Sequence, residues 1–131
     1  MKVGFTGTRQ GMTRKQLDAV GLMLAEHEVD IEEVHHGDCV GADAQFHELA
    51  RAKGLISIAH PPTDSKYRAF CKDGTQLAPK PYLERNHDIV NACDVLIVCP
   101  KERTEVLRSG TWATYRYGRK QGKKVKLILP W

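Results

Sequence analysis

The chain has 131 residues, 41% of them hydrophobic and 27% charged, a composition typical of a soluble globular protein with one buried core. Its longest apolar run, Val95–Cys99, has the length of a strand and is far too short to cross a bilayer. Twenty Lys and Arg against sixteen Asp and Glu give +4, which suits anionic ligands but is too small to indicate a duplex-binding protein. These features predict a single domain, residues 1–131, in the cytoplasm, with no leader segment and no membrane partner.

Short apolar runs alternate with segments of helical period along the chain, which is typical of βαβ units. Thr13 and Gln16 match a capping box, and Gly54 matches a helix-ending glycine. In chain order the predicted elements are strand Lys2–Thr6, a helix that begins after Thr13, strand Glu33–His36, a helix that ends at Gly54, strand Leu55–Ala59, helix Tyr82–Ala92, strand Asp94–Cys99, a helix from Gly110 to Gln121, and strand Val125–Leu129.

Residues 60–81 show neither helical nor strand periodicity and contain four prolines. A loop of about twenty residues in a small domain is either functional or contains an element that the pattern does not reveal. Both interpretations stay open at this stage.

The predicted fold is a single Rossmann-like, doubly wound α/β domain with a parallel sheet of about five strands and helices on both faces. Right-handed crossovers between parallel strands favour the strand order 3-2-1-4-5. In that order the switch point falls between strands one and four. Ligands of such sheets bind outside the carboxyl ends of the strands at the switch point, so the loops after these strands are the predicted site.

Three glycine-bearing loops meet at that edge of the sheet. The first offers backbone N–H groups, the Thr8 hydroxyl and the Arg9 guanidinium, a combination that recognises phosphate; the alternative is a tight turn with a solvated arginine. In the second, Gly37 and Gly41 allow close approach of a ligand to the backbone. Asp38 lies where a carboxylate accepts hydrogen bonds from ribose hydroxyls.

The third loop places Ser109, Gly110 and Thr111 at a helix start, where free N–H groups and the helix dipole favour phosphate; the alternative is plain N-capping by Ser109. Trp112 is either a core residue or a face on which a base stacks. Asp43 is either a ribose ligand or a first-turn helix cap. The residues predicted to bind ligand are Gly7, Thr8, Arg9, Gly37, Asp38, Gly41, Ala42, Asp43, Arg85, Asn86, Ser109, Gly110 and Thr111.

The cysteines and histidines do not match a metal-binding pattern. No CxxC pair is present, and Cys93 and Cys99 flank one strand, too far apart to bridge. His35 and His36 alternate on a strand, so at most one of them faces the cleft. We therefore predict reduced cysteines, no metal and no resident cofactor.

The three loops together resemble those of the SLOG superfamily, the Rossmann-like group that contains the DNA-processing protein DprA and the LOG phosphoribohydrolases, and more closely its small stand-alone YspA/YpsA-like branch. The resemblance spans the chain except residues 60–80 and implies a pocket for nucleotides or nucleotide-derived molecules, including ADP-ribose-like signals, and a homodimer or higher homo-oligomer. The motifs that carry it are GFTGTR, HHGDCVGAD, YLERNHDIVNACDVLIVCP and RSGTWATYRYGRKQGKKV.

The sequence departs from the phosphoribohydrolases at their catalytic glutamate. Their motif resembles PGGxGTxxE, whereas SGTWAT here has Ala113 and Thr114 where the carboxylate is needed. Binding of a nucleotide-type ligand is therefore the first prediction. An N-glycoside hydrolase with a relocated carboxylate is the alternative, and single-stranded DNA binding in the manner of DprA is the further one. The carboxylates that can substitute are Glu84, Glu102, Glu105 and Asp38, so the catalytic residues stay unassigned.

Overall fold

The computed structural model describes residues 1–131, which form one six-stranded parallel sheet with helices packed against it. The strand order is β4-β3-β2-β1-β5-β6. None of the helices is long and apolar enough to span a bilayer. The elements are β1 (Lys2–Gly7), α1 (Arg14–His27), β2 (Glu33–His36), α2 (Ala42–Ala52), β3 (Ser57–Ala59), β4 (Thr75–Gln76), α3 (Tyr82–Ala92), β5 (Val95–Cys99), α4 (Gly110–Lys120) and β6 (Lys124–Leu127).

The sheet has six strands rather than the predicted five in the order 3-2-1-4-5, because the sequence prediction missed β4. This strand lies inside the segment 60–81, which also holds a 3-10 turn at Ser65–Tyr67, and it pairs with β3 at the edge of the sheet. It has only two residues, both exposed, so no alternation of apolar and polar side chains marks it in the sequence. The switch point lies between β1 and β5, which are neighbours in the sheet. The strands that follow β1 and those that follow β5 are added on opposite sides of this pair.

Helix α1 begins with the capping box that the sequence predicts. The Thr13 hydroxyl accepts from the Gln16 N–H at 3.2 Å, and the Gln16 side chain accepts from the Thr13 N–H at 3.0 Å. Gln16 is fully buried and its amide nitrogen also donates to the carbonyls of Pro100 and Ile128, at 2.8 and 2.9 Å. This one side chain therefore ties the start of α1 to the ends of β5 and β6.

Two buried clusters pack on opposite faces of the sheet. Phe5 of β1 stacks on Phe46 of α2 with ring centroids 4.4 Å apart, in a cluster built mainly from α1, α2 and the sheet. Its neighbour Gly4 faces the other side, where a Cβ atom would lie 2.8 Å from the Cys93 sulfur. That second cluster joins α3 and β5 through side chains such as Ile89 and Leu96. Helices therefore cover both faces, and strand alternation assigns each residue to one of them.

Asp38, directly after β2, holds the segment 60–81 against the sheet. Its carboxylate accepts from the Arg68 Nε at 2.7 Å and from the Cys71 N–H at 2.8 Å, and its carbonyl accepts from the Ala69 N–H at 2.7 Å. Asp38 itself has a positive φ of 55° and no exposed surface. All four cysteines are free thiols.

Candidate functional site

A cleft of about 540 Å³ opens at the carboxyl ends of β1, β2 and β5, beside the switch point. This volume is within the range of small-molecule sites. The loops after β1 and β2 form one side, α3 closes another, and the loop into α4 forms the third. The predicted residues that line the cleft are Gly7, Thr8, Arg9, Gly37, Asp43, Arg85, Asn86, Ser109, Gly110 and Thr111.

Three predicted residues, Asp38, Gly41 and Ala42, lie outside the cleft lining. Both carboxylate oxygens of Asp38 are engaged by the segment 60–81 rather than directed at a ligand. Gly41 has φ 87°, and a Cβ atom there would lie 2.2 Å from the carbonyl oxygen of Arg9. The Ala42 N–H donates to the carbonyl of Thr8 at 2.9 Å. The second loop therefore uses these residues to pack against the first.

The start of α4 presents unpaired N–H groups to the cleft. Ser109 is the N-cap, and its hydroxyl and carbonyl accept from the N–H groups of Trp112 at 3.2 Å and Ala113 at 2.9 Å. The N–H groups of Gly110 and Thr111 have no acceptor within the chain. A Cβ atom at Gly110 would meet nothing within 4 Å, so space for a ligand lies directly beside it. Capping by Ser109 and two free donors occur together here, which is the geometry of an anion site.

Four cations line the cleft: Arg9, Arg85, Lys101 and Arg108. None of them has a carboxylate oxygen within 4.0 Å. The positive charge of the cleft is therefore left available to a bound anion.

Arg85 is the buried member of this set, with only 4% of its surface exposed. It donates to the carbonyls of Gly37 and His60, the latter at 3.0 Å, and to the Asn86 side-chain oxygen at 2.7 Å. Its second terminal nitrogen has only the Cys39 sulfur, at 3.8 Å. All of these acceptors are neutral, so the guanidinium has hydrogen bonds but no ion-pair partner.

Asp43, in the first turn of α2, is a buried carboxyl in the cleft wall. It accepts from the Cys39 N–H at 3.2 Å. Asp43 and Arg85 both border the space that Gly37 leaves empty, because a Cβ atom at Gly37 would be 2.8 Å from the Asp43 oxygen and 2.5 Å from the Arg85 Nη1. Burial raises the pKa of Asp43 to about 6, and the nearby Arg85 charge only partly opposes this. A side chain at Gly37 would therefore displace one of the two groups.

The sequence offers four carboxylates that can substitute for the missing catalytic glutamate. Of these four, Glu102 is the one that lines the cleft. One of its oxygens accepts from the indole N–H of Trp112 at 3.0 Å. Trp112 is 3% exposed, so it is a core residue rather than a stacking face. Glu105 instead pairs with Arg116 at 2.7 Å, and Glu84 lies on the outer surface near Lys80.

Tyr82 at the start of α3 also lines the cleft and was not predicted from sequence. Its hydroxyl is buried without any hydrogen-bond partner, which is the one such side-chain atom in the chain. An aromatic at a helix start carries no local pattern that distinguishes a cleft residue from a core residue, so only the three-dimensional arrangement reveals it.

His36 and His47 lie with Cys71 in a cluster whose possible ligand atoms are all within 4.8 Å, a grouping that residue spacing does not reveal. The His36 Nδ1 accepts from the Asp38 N–H at 3.0 Å, which places its proton on Nε2, and Nε2 faces the His47 Nδ1 at 3.1 Å. The other His47 nitrogen faces the Lys72 carbonyl at 2.5 Å. All four histidine nitrogens therefore already have partners within the chain, and one of those partners, the Lys72 carbonyl, lies in the segment 60–81. Neither His35 nor His36 lines the cleft.

No family model matches the sequence, and no curated protein matches it significantly. Solved structures match its fold. The molybdenum cofactor binding protein of Rippkaea orientalis superposes with a TM-score of 0.74 at 20% identity, over 98% of this chain and 76% of that one. The molybdenum cofactor carrier protein of Chlamydomonas reinhardtii gives 0.64 at 18% identity, over 97% and 75%.

DNA processing protein A of Streptococcus pneumoniae gives a TM-score of 0.71 at 20% identity, over 97% of this chain but only 50% of that one. The same protein from Helicobacter pylori, described as binding single-stranded DNA, is a further match. These likenesses show the fold, a parallel α/β fold that this chain shares with proteins described as binding molybdenum cofactor or single-stranded DNA.

Proposed function

We propose that the chain is a single-domain member of the small YspA/YpsA-like branch of the SLOG proteins and binds a nucleotide or nucleotide-derived ligand in the cleft. The observation that carries this proposal is the start of α4, where the free N–H groups of Gly110 and Thr111 share one wall with unpaired cations. A phosphate group accepts from both kinds of donor at once.

The remaining lining residues fit a ligand with a sugar and a base attached to that phosphate. Asp43 supplies a carboxyl that accepts from ribose hydroxyls, and Asn86 supplies an amide at the mouth. Thr8 and Arg9 supply further donors from the first loop. Asp38, Gly41 and Ala42 contribute by fixing the second loop rather than by touching ligand.

The test is thermal shift followed by calorimetry with AMP and ADP-ribose. Binding stabilises the folded state in proportion to the logarithm of ligand concentration above Kd. The Gly110→Leu variant should abolish binding and keep its Tm, because a side chain there enters open space. Gly21→Leu is the matched control, since that position is also open but lies in α1, away from the cleft. An unchanged affinity of the Gly110 variant would reduce this helix start to a structural cap.

Glu102 supports a second candidate function, hydrolysis of an N-glycosidic bond. The buried Trp112 indole orients its carboxylate in the cleft, and the cleft lining also includes a second carboxyl, Asp43, whose pKa is raised. Two carboxyls in different environments are the usual equipment for this reaction. The test is release of free base from nucleoside monophosphates, with Glu102→Gln as the inactive variant and Glu105→Gln as the control. No release at high protein concentration would leave binding as the function.

The ligand panel should also cover what the structural neighbours are described as binding. Molybdenum cofactor and an oligonucleotide of single-stranded DNA are therefore included. DNA binding that survives moderate salt would favour the DNA-binding function, because weak contacts to phosphates alone disappear steeply with salt.

We also propose that the chain forms a homodimer or a higher homo-oligomer. Trp131 keeps 66% of its surface exposed, an apolar surface that a second copy of the chain would cover. Light scattering tests this proposal, and a monomer at high concentration would contradict it.

A further inference from the structure

The cationic groups of the cleft fall into two positions on either side of β1. Lys101, Arg108 and the free N–H groups of α4 belong to the connection that follows β5. Arg85 lies instead against Gly37, directly after β2. Because β2 and β5 both pair with β1, their ends are about 10 Å apart by strand spacing. A single phosphate at α4 therefore leaves the second position without an anion.

The second position contains a buried guanidinium that forms no salt bridge. Arg85 lines the cleft and has only neutral acceptors, and one of its terminal nitrogens has no acceptor except the Cys39 sulfur at 3.8 Å. A buried charge without a counter-ion is costly, so such a group is usually paired or serves a ligand. Asp43 compensates this charge only in part, because both groups border the Cβ position of Gly37 but no carboxylate oxygen comes within 4.0 Å of the guanidinium.

Arg9 reaches the same side of the cleft, and the segment 60–81 holds it there. Its guanidinium lies over the Tyr67 ring at 3.9 Å from the centroid. Tyr67 is fixed in turn, since its carbonyl accepts from the Val40 N–H at 2.8 Å in the loop after β2. Stacking on an aromatic face orients a guanidinium and leaves its in-plane N–H groups free for an oxygen anion.

We propose that the cleft takes a ligand with two separated anionic groups, one at the start of α4 and the other between Arg9 and Arg85. The corresponding chemical class is a nucleotide whose two phosphates are separated by sugar atoms, as in a nucleoside 3′,5′-bisphosphate or a 5′-phosphorylated, 3′–5′-linked dinucleotide. Phosphates separated in this way match the strand spacing across β1 better than the adjacent phosphates of a diphosphate do. This inference rests on the proposed function and narrows its ligand class. The cleft lining also has two acidic groups, Asp43 and Glu102, but the cations outnumber the acidic groups at both positions.

The test compares the affinities of AMP, ADP and adenosine 3′,5′-bisphosphate for the full chain by calorimetry. In the wild type the bisphosphate should bind at least about tenfold more tightly than AMP and more tightly than ADP. Arg9→Gln should reduce this preference severalfold and change AMP binding less, because Arg9 is exposed and its loss does not disturb the fold. Arg103→Gln removes an exposed charge of the same sign outside the cleft and should keep the preference.

A second variant, Arg85→Lys, keeps the positive charge but loses the paired N–H donors of the guanidinium. It should also lower the preference for the bisphosphate over AMP, and thermal unfolding checks that the variant is folded. Equal affinities for AMP and the bisphosphate would overturn the two-anion ligand and leave the proposed function standing. Failure of all three nucleotides to bind would overturn both. Equal losses in the Arg9 and Arg103 variants would show only a general effect of net charge and would overturn the second position.

Discussion

Gly41 and Arg9 are in backbone contact: a Cβ atom at Gly41 would lie 2.2 Å from the Arg9 carbonyl oxygen and 2.8 Å from its Cα. The loop after β2 therefore packs directly on the loop after β1. Gly41 also has a φ of 87°, which side-chain-bearing residues rarely adopt. Close approach and a positive φ therefore coincide at Gly41, where the two loops meet.

Gly41→Ala should lower the free energy of unfolding by at least about 3 kcal/mol, since it combines a backbone clash with an unfavourable φ. Gly54→Ala is the matched control, because Gly54 also has a positive φ of 73° but has nothing within 4 Å of its Cβ position. That control should cost about 1 kcal/mol. Urea unfolding measures both, and equal losses would show that the contact between the loops contributes nothing.

Tyr82→Phe should raise the free energy of unfolding by about 1 kcal/mol in the absence of ligand. The Tyr82 hydroxyl is buried without a partner, and removal of an unsatisfied polar group recovers its desolvation cost. The control is Tyr117→Phe, which removes a surface hydrogen bond to Asn91 of 3.1 Å and should change stability little or lower it. A loss of stability in the Tyr82 variant would mean that its hydroxyl has a partner in solution.

Asp43→Asn should stabilise the protein at pH 8 by about 1–3 kcal/mol. The folded-state pKa of Asp43 is about 6, above its ordinary value of 3.8, so the folded state binds the proton more tightly than the unfolded state does. The ionised carboxyl is therefore destabilising above pH 6, and this penalty disappears as the pH falls toward 4. Urea unfolding at pH 8 and pH 4 should show the gap closing. The surface variant Asp18→Asn should show no comparable change.

Acid should destabilise the wild type between pH 6.5 and 5 through its buried neutral histidines. Burial lowers the pKa of His36 to about 3 and of His60 to about 4, from 6.5, so the unfolded state takes up protons first. Each of these histidines lowers the free energy of unfolding by about 1.4 kcal/mol per pH unit in this window. Protonation of Asp43 in the folded state has the opposite effect and offsets the contribution of one histidine. The net loss between pH 7 and 5 should be at least about 2 kcal/mol, and a flat profile would contradict it.

Much of the sheet and one wall of the cleft follow from local signals in the sequence. Val95–Cys99 is an unbroken apolar run because it lies at the centre of the sheet, and the Thr13 capping box is visible because its partners are three residues apart. Ser109, Gly110 and Thr111 were predicted at a helix start, and they lie in the cleft wall.

The features that sequence reasoning missed depend on contacts between distant segments. β4 has two exposed residues and exists only because β3 offers it a free edge. The second loop was predicted to bind ligand through Gly41 and Asp38. Instead, Gly41 allows the backbone of Arg9 to approach, and the Asp38 carboxylate forms a salt bridge with Arg68. The residue type shows which contacts a position can make, whereas the neighbouring segments of the folded chain determine which contact it does make.

The attachment of the segment 60–81 to Asp38 has a consequence for hydrogen exchange and proteolysis. The amides of Ala69 and Cys71 donate to Asp38, and the Lys72 carbonyl faces His47, although none of these three residues belongs to a helix or strand. Such amides exchange only when the attachment opens. This irregular stretch should therefore resist trypsin at Arg68 and Lys72 and release its amide hydrogens as slowly as the strand edge beside it.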